Sequence, residues 1–227
     1  MGPVDASRVM LLRDLLASSP LIERTQGFGR RLTASTRNPG GLLLVGTPQA
    51  EPWHLAAHLD DESRYADLPV LRPTLIRYRV PTDAPAHLSV TLARLEQARR
   101  GETVFVVAQD VPPEGLLQRA WDARRTGATV LALDAVRSEL DDVAHESLTV
   151  EPMHAVATEQ ADDEPDPMAG EAYAVTESGL FIPSFDTAQH LVSVAAGEAA
   201  VTKSRQGLRV RLARMLDAIS GPAVTDR

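Results

Sequence analysis

Residues 101–108 read Gly101-Glu102-Thr103-Val104-Phe105-Val106-Val107-Ala108. A glycine closes the preceding element, and a run of mainly β-branched and aromatic residues follows without polar alternation. That is the pattern of a strand covered on both faces, as in a parallel sheet. The order Ala-Arg-Arg, glycine, apolar run returns at 123–133, where Gly127 leads into Thr129-Val130-Leu131-Ala132-Leu133-Asp134. Between the two strands, Pro112-Pro113 opens a helix running to Arg125, since the first N–H groups of a helix lack an intrahelical partner and proline costs nothing there. Strand, helix, strand in succession is a βα repeat. It predicts a doubly wound, three-layer α/β/α parallel sheet of the flavodoxin-like kind.

Working outward, the same rhythm extends in both directions. A weaker strand is expected at 147–150. Upstream, a helix is expected over 86–99, with Leu88, Val90, Leu92, Leu95 and Ala98 as its apolar residues and Gly101 as its cap. Residues 69–80 read as a strand, 52–60 as a helix, and Leu42-Leu43-Leu44-Val45-Gly46 as a buried strand. Asn38-Pro39-Gly40-Gly41 breaks the chain before it. Pro20 opens a helix to about Ser35, preceded by a helix capped by Asp5 or Ser7. The segment 159–168 (EQADDEPDPM) is acidic and nearly free of large apolar residues, so it is expected to be mobile. The organisation is thus one domain over 1–227: a helical hairpin at 1–38, an α/β core at 42–152, an acidic mobile insertion at 153–178, and C-terminal helices at 179–219, spanning 185–200 and 204–219.

Bulk properties restrict the function. The chain has 227 residues, a net charge of −8 and no cysteine. The acidic balance argues against nucleic-acid and anionic-membrane binding, and thiolate chemistry and disulfides are excluded. The first residues lack a basic region followed by an apolar core, and no apolar run is long enough to span a bilayer, so the expected location is the cytoplasm. Ligands of such sheets bind beyond the carboxyl ends of the strands, which points to the loops at 46–52 and 109–114.

Three stretches carry a family resemblance. Leu43-Leu44-Val45-Gly46 with Trp53-His54-Leu55-Ala56-Ala57-His58-Leu59, the paired strand motifs at 101–107 and 127–133, and Leu140-Asp141-Asp142-Val143-Ala144 together resemble the sugar isomerase (SIS) domain, in particular its phosphoheptose-isomerase-like branch. The likeness covers roughly 7–152 and 185–219. It implies Gly46, Thr47, Gln49, Gln109 and Asp110 as ligand-binding positions. It also implies a homodimer or homotetramer paired through terminal helices, with a small sugar-derived ligand or a protein partner. The loops depart from the family pattern. The first, Gly46-Thr47-Pro48-Gln49-Ala50-Glu51-Pro52, has Ala50 near the expected serine and places the charge of Glu51 toward any phosphate. The second, Ala108-Gln109-Asp110-Val111-Pro112-Pro113-Glu114, has no hydroxyl, and its prolines remove N–H donors.

His54 and His58 lie four apart on one helix face, which is metal-ligand spacing. In the related branch the matching positions hold a His and a Glu at a metal-containing isomerase site, and Gln189 matches a further Gln of that site. The family's later His is Gly197 here. The resemblance therefore implies His54, His58 and Gln189 as metal ligands, a divalent ion such as zinc, and His58 as base. The residues read alone favour ordinary surface or interface histidines and no cofactor. Asp110 with Glu114, and Arg209 with Arg211 and Arg214, read as solvated charges, and Trp53 as a core or interface residue. The expected function is a non-catalytic or regulatory SIS-like protein. The alternative is a sugar-phosphate isomerase with a rebuilt site.

Overall fold

The computed structural model describes residues 20–150, 173–175 and 181–199. Its centre is a five-stranded sheet of β1 (Leu42–Val45), β2 (Pro73–Ile76), β3 (Thr103–Ala108), β4 (Thr129–Asp134) and β5 (Glu146–Thr149), in the order β2-β1-β3-β4-β5. Every neighbouring pair is parallel. The helices are α1 (Pro20–Ser35), α2 (Trp53–Tyr65), α3 (Glu114–Arg125), the short α4 (Leu140–Val143) and α5 (Phe185–Glu198). A separate antiparallel pair joins β6 (Tyr173–Val175) to β7 (Phe181–Pro183). Among the described residues no helix is long and apolar enough to cross a membrane. The first helix expected before Pro20, the rest of the acidic insertion and the helix at 204–219 lie outside the described residues.

The unbroken apolar runs are buried on both sides. One face of the sheet presents Leu42, Leu44, Phe105, Val107, Leu131 and Leu133 to Phe28 and Leu32 of α1, Leu55 and Leu59 of α2, and Val192 of α5. The other presents Leu43, Val45, Val104, Val106, Val130 and Ala132 to Leu116 and Ala120 of α3 and Leu140 of α4. Strand alternation sends successive side chains to opposite faces, so runs without polar positions require cover on both. Thr103 donates to Ser35 Oγ (2.9 Å) and accepts from Thr36 Oγ1 (2.8 Å), pinning the end of α1 to the start of β3. Gly101 and Gly127 both take positive φ, 88° and 97°, as their place at the ends of the preceding elements requires.

Three sequence expectations are corrected. The helix at 86–99 is absent. The chain makes a 3-10 turn at Ala86–Leu88, straightens through 89–91, and makes another at Leu92–Gln97. Val90 O accepts from Arg77 N (2.8 Å), and Thr91 bridges Arg77, so β-branched residues here extend the edge of β2. Leu92, Leu95 and Ala98 are spaced by three, and a 3-10 turn aligns them on one face as well as an α-helix would. The strand expected over 69–80 is confined to Pro73–Ile76 after a 3-10 turn at Pro69–Leu71. The helix expected at 52–60 continues to Tyr65.

Candidate functional site

From β1 the chain passes through α2 on one face to β2, then crosses back over β1 on the other face to reach β3. The direction of winding therefore reverses between β1 and β3, and a crevice opens at their carboxyl ends. A cavity of about 100 Å³ lies there. Its wall comes from Ala50, Glu51, Pro52, Trp53 and His54 after β1, Val107 and Gln109 at the end of β3, and Phe185, Asp186 and Gln189 on the first turns of α5. That is room for several waters or one small polar molecule, at roughly 10–15 Å³ per water.

The loop after β1 closes on itself. Thr47 N donates to Ala50 O (3.1 Å), Ala50 N to Thr47 O (3.2 Å), and Trp53 N to Glu51 O (2.9 Å). A side chain on Gly46 would collide with Ala50 O and the Pro52 ring, so the turn needs glycine. Thr47 is fully buried, and its hydroxyl has no hydrogen-bond partner among the described residues. Gln49 and Asp110 are exposed beside the cavity wall rather than in it, and Gln109 lines it.

Glu51 does not stand as a free anion, contrary to the expectation from sequence. It accepts from Arg77 Nε (3.1 Å), Tyr78 N (3.2 Å) and Trp53 Nε1 (3.1 Å). The Arg77 guanidinium lies 4.7 Å from the Trp53 ring centroid, so cation, anion and indole form one clasp. Trp53 is 41% exposed in that clasp, at the mouth of the crevice rather than in the core. Asp186 accepts from Gln189 Nε2 (2.9 Å). Among the described residues the lining contains no lysine or arginine.

Beside the cavity, α2 and α5 bring three imidazoles together. Ring centroids lie 4.9 Å apart for His54 and His58, 5.2 Å for His54 and His190, and 3.7 Å for His58 and His190. One ring nitrogen of each lies within 4.8 Å of those of the others. Burial, with the neighbouring imidazoles adding to it, lowers the pKa of His190 to about 4, against the pull of Asp186. Burial and His54 lower that of His58, against Asp61. Burial thus favours the neutral form of both rings. His54 and His58 meet as their spacing foretold. Gln189 faces the cavity. His190, one residue later, joins the histidines; no sequence pattern marks it, because its approach depends on how α5 packs against α2.

No family model and no curated protein matches the chain. Among solved structures, it is similar to a candidate sugar-binding protein from Salmonella typhimurium LT2, with a TM-score of 0.53 and 16% identity over 93% of this chain and 53% of that one. A candidate phosphosugar isomerase from the same organism aligns with a TM-score of 0.45 and 13% identity, over 87% of this chain and 51% of that one. The chain thus spans about half the length of these neighbours. The first likeness bears on the fold alone, an α/β arrangement around a parallel sheet.

Proposed function

We propose that this chain is a non-catalytic, SIS-like binding module that self-associates and takes a small, neutral, hydroxyl-rich ligand of sugar type in the cavity between β1 and β3. The observation that carries the reading is the state of the loop at 46–52. A phosphate cradle needs several free backbone N–H groups at a helix N-terminus. Here Thr47, Ala50 and Trp53 spend theirs within the loop, and Pro48 and Pro52 have none. Glu51 holds the nearby arginine. The N-terminal ends of α2 and α5 both border the cavity, but their partial positive charge faces the carboxylates of Glu51 and Asp186. What is left is a mildly acidic lining with Asp186, amide groups at Gln109 and Gln189 and an aromatic wall, which suits hydroxyls better than a dianion.

The test is thermal denaturation with a panel of neutral monosaccharides and polyols, the corresponding sugar phosphates, and nucleotides, each at millimolar concentration. A ligand of the folded state raises the melting temperature by mass action. The expected result is a shift with one or more neutral sugars, lost in Gln189→Ala, and none with phosphates. A shift confined to phosphates overturns the reading. Turnover of a sugar phosphate that disappears in His58→Ala would establish the isomerase alternative in its place.

A further inference from the structure

We infer that His54, His58 and His190 form a three-imidazole site for a divalent transition metal ion such as Zn²⁺. It uses α5's His190 in place of the amide of Gln189 and leaves one coordination position open on the cavity side. Three observations support it. First, the ring nitrogens already lie within 4.8 Å of one another, although the histidines come from two different helices. A tetrahedral ion with Zn–N bonds of about 2.0–2.1 Å needs them about 3.3 Å apart, a closure within reach of small ring rotations. Second, Nε2 of His58 is buried without a hydrogen-bond partner among the described residues. An orphaned ring nitrogen is costly, and an ion at the centre of the cluster would satisfy it. Third, His54 belongs to both features: its ring meets the other two and it lines the cavity.

The surroundings fit the ion. Asp186, one turn before His190 on α5, is held by Gln189 Nε2 (2.9 Å) and stays at the edge of the cavity beside the cluster. Soft thiolate ligands are absent from the chain, and imidazole nitrogen favours zinc, nickel, copper or cobalt over calcium and magnesium. Three protein ligands with one position left open is the stoichiometry of sites that bind water or a ligand atom, in contrast to closed structural sites. The inference does not depend on the identity of the cavity ligand.

The experiment is titration of the full chain, freed of metal by chelation, with Co²⁺ followed by visible absorption, and with Zn²⁺ in competition with a chromogenic chelator. The expected result is one equivalent of Co²⁺ with the intense d–d bands of a tetrahedral site, displaced by Zn²⁺. His190→Asn and His58→Asn should each weaken binding by about tenfold or more, while Gln189→Ala and His87→Ala leave it unchanged. Circular dichroism confirms that each variant is folded, and His190→Gln serves as a second variant should His190→Asn fail to fold. Absence of stoichiometric binding overturns the inference. So does equal binding by the His190 variants, or a loss in Gln189→Ala matching that in His190→Asn, which would return the site to His54, His58 and Gln189. Neutral-sugar shifts that persist with chelator present leave the proposed function standing even where the metal inference fails.

Discussion

Asp134 ends β4 and is only 1% exposed. Burial raises its pKa. The Thr149 hydroxyl, its partner position on β5, pulls the other way from outside hydrogen-bond geometry, and Arg137 and Arg24 pull the same way as Thr149 from further off. A raised pKa means the folded chain binds this proton more tightly than the unfolded chain. The carboxylate therefore costs stability once pH rises from the ordinary carboxylate range through the folded value. Asp134→Asn is expected to stabilise the fold at pH 7 by about 1 kcal/mol, with the gain vanishing near pH 4; urea midpoints at the two pH values measure it. At Glu51 the effect falls on binding. Glu51→Gln releases Arg77 from its ion pair at the crevice mouth, so a sugar phosphate that the native chain does not bind should give a measurable binding heat with the variant, as followed by calorimetry. The absence of hydroxyls from the second loop and the prolines of both loops were legible in the sequence, because residue type alone reports them. The pairing of Glu51 with Arg77 was not, since 26 residues of chain separate them.

Among the elements, α1 and α5 approach most closely where Gly29 meets α5. A Cβ on Gly29 would lie 2.6 Å from the Ala195 carbonyl carbon and 2.7 Å from Ala196 N. Thr33 Oγ1, one turn on, donates to Ala196 O (2.9 Å) across the same contact. Gly29→Ala should force the helices apart and cost about 1–3 kcal/mol, read as a lower urea midpoint. The same contact bears on the metal inference, because α5 also carries His190 toward α2. A variant that shifts α5 should weaken Co²⁺ binding along with stability. Strand cores and glycine caps were readable from the sequence because burial on both faces leaves an unmistakable apolar run. The segment at 86–99 was not, because a spacing of three satisfies both kinds of helix and only the bridge to Arg77 decides between them.

At the scale of the whole molecule, the chain spans about half of the solved neighbour it resembles, and the proposed reading has copies of the chain pair with each other. Sedimentation velocity should show a dimer or tetramer at micromolar concentration, and a monomer throughout would remove that part of the proposal. The crossover from β2 to β3 has a further consequence. Every other crossover of the central sheet carries an α-helix, whose amides are held by a repeating ladder, whereas residues 77–102 depend on isolated turns and a single bridge. Local opening is least costly where such ladders are missing. In deuterium exchange, this stretch and the edge strand it covers should lose protection as one early unit, while β3 and β4 exchange only with global unfolding. The sheet would then have a loose margin beside β1 and a rigid centre, with the crevice lying on the boundary between them.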